Sequence, residues 1–235
     1  MNKNCVLKNE MARNSLGMIK RPVFFLLIIA WLGLIGLGEF FLLNYEKTPG
    51  DLKSAPSQWP PQSLIERHPN QMTLLMFVHP HCPCTRASMD ELAVLMTRCH
   101  GRLFANVLFL KPKDFSKDWT QTDIWRSAAV IPDVKIKIDE EGREAGRFKA
   151  STSGQVLLYD AKGRLLFAGG ITASRGHSGD NDGRNAIESL VLRDEAKTAQ
   201  TPVFGCSLVN QKVSIFQEVL DLWTHRTKIC TLKQI

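Results

Sequence analysis

The sequence predicts an α/β domain with a mixed central sheet flanked by helices, its early strands parallel and its last pair antiparallel, preceded by one N-terminal transmembrane helix. Three observations point there. Residues 72–78 form a short apolar run after Thr73, and a segment of helical periodicity follows them. Strand-like and helix-like segments then alternate and end in a hairpin, an order that favours parallel strands early and an antiparallel pair late. Residues 23–43 are apolar apart from Glu39, long enough to cross about 30 Å of hydrocarbon.

Taken in order, residues 1–22 carry Lys3, Lys8, Arg13, Lys20 and Arg21 against Glu10, whereas Glu46, Lys47, Asp51 and Lys53 follow the apolar run. That asymmetry sets the N-terminus in the cytoplasm and the remainder outside, as a single-pass protein of the inner membrane. A cleaved signal peptide is the competing reading, with Gly36-Leu37-Gly38 as the small-residue site, but Phe40-Phe41-Leu42-Leu43 continues the apolar run beyond it. Of the net charge of +7, residues 1–22 carry +4 and Glu39 takes one away, which leaves only +4 over the residues beyond the apolar run. The basic end reads as a topology signal, and with no stripe of Lys and Arg interleaved with aromatics, nucleic-acid binding gains no support and no nucleic-acid partner is expected. Residues 44–71 hold Pro49, Pro56, Pro60, Pro61 and Pro69 with little periodicity, the composition of a semi-rigid tether.

The domain is expected over residues 72–194. The run at 72–78 is a strand buried on both faces. Ser88, Met89, Leu92, Ala93, Leu95 and Met96 recur at helical spacing after it. Residues 102–110 are a second strand, 111–132 a polar excursion with Trp119 and Trp125 that holds a helix, and 134–139 a third strand. Residues 140–150 are rich in helix formers, 155–160 and 164–169 pair through the turn Ala161-Lys162-Gly163, and a last helix covers about 182–193, capped by Asp180 or Asp182. Residues 195–235 form a tail, with apolar periodicity at 213–225 suggesting an added helix.

Between the first strand and the first helix stands His79-Pro80-His81-Cys82-Pro83-Cys84. Backbone N–H groups at a helix start are unsatisfied and the helix dipole favours negative charge, so a thiolate there is stabilised. A protonated His81 beside Cys82 would act in the same direction, while His79 reads as a strand-end structural residue. Two cysteines separated by one residue close a tight, strained disulfide ring, which tends to be handed to other thiols. The alternative chemistry is metal binding: His79, His81, Cys82, Cys84 and His177 supply the N and S donors that copper or zinc accepts. Thiol exchange itself requires no cofactor.

These residues resemble the thioredoxin-like superfamily. Phe77-Val78-His79-Pro80-His81-Cys82-Pro83-Cys84 is similar to its strand-to-helix active-site turn with one residue removed. Pro132-Asp133-Val134, Asp139, Ala145, Phe148-Lys149-Ala150 and Leu157-Leu158-Tyr159-Asp160-Ala161-Lys162-Gly163 resemble its membrane-tethered branches, RedB-type, TlpA-like and peroxiredoxin-related. The resemblance implies a thiol-disulfide oxidoreductase acting on thiol or disulfide proteins outside the cytoplasm. It makes Cys82 the exposed attacking sulfur and Cys84 the resolving one. It also admits a copper-delivery protein, and a non-catalytic interaction module is the third reading. The chain departs from the superfamily where a cis-proline normally faces the cysteines: Ser151-Thr152-Ser153-Gly154 stands there.

Three further groups are candidates. The glycine-rich loop at residues 169–183 carries Arg175 and His177, suited to an anionic partner or a metal. Cys99 reads as a buried small hydrophobe. Cys206 follows Gly205 in the tail, placed either to return to Cys82 and Cys84 or to bridge to Cys230.

Overall fold

The computed structural model describes residues 3–195 and 197–208, in two compact units, residues 1–47 and 48–235. The first unit contains one helix, α1 (Lys3–Lys47). Within it Pro22–Lys47 has a mean hydropathy of 2.3 and is long and apolar enough to cross a membrane.

The second unit is built on a five-stranded sheet of β1 (Met72–Val78), β2 (Leu103–Lys111), β3 (Val134–Glu140), β4 (Gln155–Tyr159) and β5 (Leu165–Gly169). The strand order is β3-β2-β1-β4-β5. β1 pairs parallel with β2 and β2 with β3, whereas β4 is antiparallel to both β1 and β5. β1 is therefore central, with Leu74, Leu75, Met76, Phe77 and Val78 essentially without solvent contact, which explains why its sequence does not alternate.

Leu74, Met76 and Val78 face one core, closed by α2 (Thr85–Arg98), α3 (Asp123–Ala129) and α5 (Asp182–Arg193) through Met89, Leu92, Ile124, Ala128 and Ile187. Leu75 and Phe77 face the other, with α4 (Arg143–Arg147), Phe148 and Tyr159. Burying side chains of this size contributes roughly 1.5–3 kcal/mol each, so β1 anchors both layers. Cys99 lies in the first core, and burial, with Glu188 nearby, raises its thiol pKa to about 11.

The Pro-rich stretch expected as a tether has little regular structure, yet from residue 48 onward it lies against the domain. The Trp59 ring meets Phe148 and Tyr159 edge-on, at 5.0 and 5.1 Å between centroids. Its backbone bonds both sides of the hairpin turn, Trp59 N–H to Gly163 O and Leu165 N–H to Ser57 O. The prolines keep this chain extended, and the aromatic ring fixes it to the sheet.

At α5 the cap is Asn181, whose side chain accepts from Arg184 N–H at 2.8 Å. α4 is shorter than expected because the Asp139 carboxylate takes the N–H groups of Glu144 and Ala145 at 2.8 and 2.9 Å. Gly142 precedes it in the left-handed region, at φ 67°.

Candidate functional site

β1 ends at Val78, and a tight turn carries the chain through His79 to Cys84 before α2 begins at Thr85. Cys82 N–H bonds His79 O at 3.1 Å and Thr85 N–H bonds Cys82 O at 3.1 Å, so both sulfurs sit on a hydrogen-bonded turn. Cys84 occupies the cap position of α2 with helical backbone angles.

Opposite stands the segment that replaces the cis-proline. No peptide bond among the described residues is cis. Ser153 Oγ accepts from His79 N–H at 2.8 Å and lies 2.9 Å from Thr85 Oγ1. Gly154, at φ +85°, bonds Phe77 O through its N–H, and a Cβ there would lie 2.9 Å from Ser88 Oγ. A serine hydroxyl thus links strand end to helix start.

The tail supplies the third side. Ser153 N–H donates to Cys206 O at 2.7 Å, and Leu208 N–H to Ser151 O at 2.8 Å. Gly205 permits this approach, since a Cβ at that position would fall 1.9 Å from Ser153 O. Arg175 Nη1 donates to Gly205 O at 2.6 Å and Nε to Thr48 O at 3.2 Å. Its guanidinium lies near the Cys84 sulfur, where its charge lowers that thiol's pKa.

Cys82, Cys84, Cys206 and Arg175 are thereby brought together. The Cys82 pKa is driven far below the ordinary value of 9.0, first by the Cys206 thiol, then by the Cys84 thiol, with Thr85 Oγ1 and the Cys206 amide adding to them. The Cys84 and Cys206 thiols move the opposite way, because each donates to Cys82 and each is partly buried; Arg175 offsets this in part at both. Among the three sulfurs ionisation is thus disfavoured at Cys84 and Cys206 and favoured at Cys82. If Thr85 donates to that sulfur, Ser153 must donate to Thr85, and His79 N–H completes the chain.

Two expectations need correction. Cys82 was expected to be the exposed sulfur, but it is 1% exposed and Cys84 8%, while Cys206 is half-buried. The tail covers the position that the family resemblance left open. His81 was expected to tune Cys82, but its ring stacks on Trp119 with centroids 4.7 Å apart, and Nε2 donates to Trp119 O at 3.0 Å. The neighbouring Cys206 and Cys84 thiols, and not His81, lower the Cys82 pKa most.

His79 is buried at the strand end, its Nδ1 accepting His81 N–H at 3.2 Å. His177 is exposed, its Nδ1 bonded to Arg175 O at 2.8 Å. Among the described residues no three His, Cys, Asp or Glu are grouped to hold a metal ion, so His79, His81, Cys82, Cys84 and His177 do not converge as a donor set. Cys230 and the segment at 213–225 lie outside the described residues. Sequence reasoning missed Thr85, Ser153 and Trp119 as contributors, although Ser153 was marked by its place before Gly154.

The glycine-rich loop is fixed from beneath. Glu91 on α2, 2% exposed, forms an ion pair with Arg184 on α5 and accepts from Gly179 N–H at 2.5 Å and Asn181 Nδ2 at 3.1 Å. The loop that presents Arg175 is therefore tied to the helix that presents the cysteines.

No family model matches the chain, and no curated protein matches it. Among solved structures it is similar to an uncharacterized conserved protein from Geobacillus kaustophilus, at 18% identity over 62% of this chain and 80% of that one, with a TM-score of 0.50. A hypothetical protein from Sinorhizobium meliloti 1021 matches at 20% identity over 60% of this chain and 80% of that one, with a TM-score of 0.48. The exposed lipoprotein thioredoxin of Streptococcus pneumoniae strain TIGR4 matches at 13% identity over 52% and 84%, with a TM-score of 0.39. At a TM-score of 0.50 the domain shares its fold with the Geobacillus kaustophilus protein, and its strand order β3-β2-β1-β4-β5, with the cysteine turn after β1, is the mixed, helix-flanked sheet that the resemblance in the sequence implies.

Proposed function

We propose that this protein is a membrane-anchored thiol-disulfide oxidoreductase whose Cys82–Cys84 disulfide is donated to dithiols outside the cytoplasm. The observation that supports it is the set of donors on Cys82, from Cys84, Cys206 and Thr85. Stabilising the thiolate stabilises the reduced form, and a dithiol with a favoured reduced form is an oxidant in its disulfide form. The short Cys-Pro-Cys ring acts in the same direction.

In the donating reaction a partner thiolate attacks the domain disulfide. One partner–domain S–S bond forms, the Cys82–Cys84 bond breaks, and the expelled sulfur leaves with the electron pair. The second partner thiol then attacks the mixed disulfide, so the partner gains a disulfide and the domain two thiols. Cys82 is the favoured leaving sulfur because its anion is the stabilised one, and leaving rates rise as the leaving thiol's pKa falls. Arg175 beside Cys84 favours that anion when it forms.

The anchor is the helix of Pro22–Lys47, and the basic residues before it set the N-terminus in the cytoplasm and the domain on the exterior face of the inner membrane. There, disulfides persist.

Equilibrating the full chain in detergent with graded ratios of reduced to oxidised glutathione, trapping with acid and mapping the peptides tests this reading. Reversible formation of a disulfide at Cys82, at ratios more oxidising than a structural disulfide needs, is the expected result. A chain that never exchanges with glutathione, and whose copper or zinc content falls in Cys84→Ser, would replace this function with metal binding.

A further inference from the structure

We infer that Cys206 is a third redox residue, which takes the disulfide from Cys84 and presents it to the partner as a Cys82–Cys206 bond. The inference rests on the proposed exchange at Cys82 and assigns the residue through which the partner is met.

Position carries the argument. Cys206 does not hang on a free tail. Its carbonyl accepts from Ser153 N–H, the next residue forms an isolated bridge with Thr152, and Leu208 is buried in a core cluster. Upstream, Thr201 Oγ1 donates to Gly170 O at 2.8 Å, Gly50 N–H bonds Val203 O, and Arg175 holds Gly205 O. The chain is pinned on both sides of the cysteine, and Ser153, which holds the Cys206 carbonyl through its N–H, reaches His79 N–H and Thr85 Oγ1 on either side of Cys82 through its Oγ, so Cys206 is set beside Cys82. Of the three clustered cysteines Cys206 is the one that is not buried, being intermediate in exposure where Cys82 and Cys84 are buried. A protein thiol approaching this face meets Cys206 first.

The chemistry balances without another oxidant. Starting from the Cys82–Cys84 disulfide, Cys206 gives up its proton and attacks Cys82 Sγ. The Cys82–Cys206 bond forms, the Cys82–Cys84 bond breaks, and Cys84 leaves with the electron pair and takes a proton, so the domain's oxidation state is unchanged. A partner thiolate then attacks the accessible Cys206 sulfur and expels Cys82, the sulfur whose anion is best stabilised and hence the best leaving group. The partner's second thiol resolves the mixed disulfide and releases Cys206 as a thiol. Arg175 stands against the charge that appears on Cys84 in the first step.

The test uses the full chain in detergent, oxidised with oxidised glutathione, trapped with acid and mapped without reduction, alongside Cys84→Ser and Cys206→Ser. A Cys82–Cys206 peptide is expected in the wild type and as the main oxidised product of Cys84→Ser. Transfer of oxidation to a dithiol peptide should slow by about tenfold in Cys206→Ser, because access limits exchange at the buried pair. Free, alkylatable Cys206 in every oxidised sample, with glutathione on Cys82 in Cys84→Ser, would overturn the inference while leaving the Cys82–Cys84 function standing. An exclusive Cys206–Cys230 link would overturn it equally. Failure of any sulfur to exchange overturns both.

Discussion

Ser153 N–H donates to the carbonyl of Cys206 at 2.7 Å, which sets Cys206 beside Cys82, 124 positions earlier in the sequence, where its thiol and amide lower the Cys82 pKa. Backbone bonds from Ser151 and Ser153 hold the tail strand in that place, and Gly205 allows it to come close. The tail therefore both stabilises the thiolate and screens it from solvent.

Loosening the tail should separate those two effects. In Gly205→Ala the added Cβ collides with Ser153 O, so the strand must shift. Cys82 should react faster with a small alkylating agent at neutral pH, with its pKa raised toward the ordinary value. Peptide mapping after timed alkylation reads the first change. An unchanged rate would mean that the tail does not cover Cys82.

The hydroxyl chain from Ser153 through Thr85 to Cys82 gives a second expectation. Thr85→Val removes one donor to the thiolate and raises the Cys82 pKa. Ser153→Ala does so indirectly and also leaves the buried His79 N–H without its acceptor, a loss of about 1–3 kcal/mol. Denaturant unfolding of the reduced chain should show the stability loss in Ser153→Ala, and thiolate absorbance the pKa change in both.

Two ion pairs should behave differently. Glu91→Ala removes the buried partner of Arg184, leaving it the exposed Asp180 carboxylate at 3.1 Å, and should cost about 3 kcal/mol, whereas Arg86→Ala breaks the exposed pair with Asp123 and should cost about 1 kcal/mol or less. Denaturation midpoints of the two variants make the comparison. Similar midpoints would contradict the role given to Glu91 in fixing the loop.

Much of the framework was legible in the sequence, because β1 is an apolar run after Thr73 and α5 has an amphipathic period, although the cap of α5 is Asn181 and not Asp180 or Asp182. The turn holding Cys82 and Cys84 was legible for the same reason, as it lies between a strand and a helix that local pattern defines. What decides the exposure of Cys82 was not. It depends on backbone bonds between residues 151–153 and 206–208, whose side chains carry no periodic signal, and on the distant Arg175. Trp119 was visible in a polar segment, but only the fold brings its ring against His79 and His81.

Stability of the reduced chain should depend on pH with a maximum near the ordinary thiol value of 9.0. The depressed Cys82 contributes stability that is present above that value and is lost as pH falls toward its folded pKa. The raised Cys84 and Cys206 contribute stability that is present below it and is lost as pH rises. Unfolding midpoints across pH should therefore rise and then fall in the reduced chain, and both limbs should weaken once the sulfurs are oxidised.

The proposed placement of the domain outside the cytoplasm predicts that protease added to intact spheroplasts removes residues beyond the apolar helix and spares the first 22. Protection of the domain until the membrane is permeabilised would reverse the topology.

The most direct test is the ultraviolet titration of thiolate in the full reduced chain, with Cys82→Ser, Cys84→Ser and Cys206→Ser beside it. A single thiolate should persist into mildly acidic solution, vanish in Cys82→Ser, and titrate at higher pH when either neighbouring thiol is replaced. Sulfurs that all titrate near about 8.5, the value of an unperturbed cysteine, would contradict the assignment of Cys82 as the stabilised sulfur on which the exchange mechanism depends.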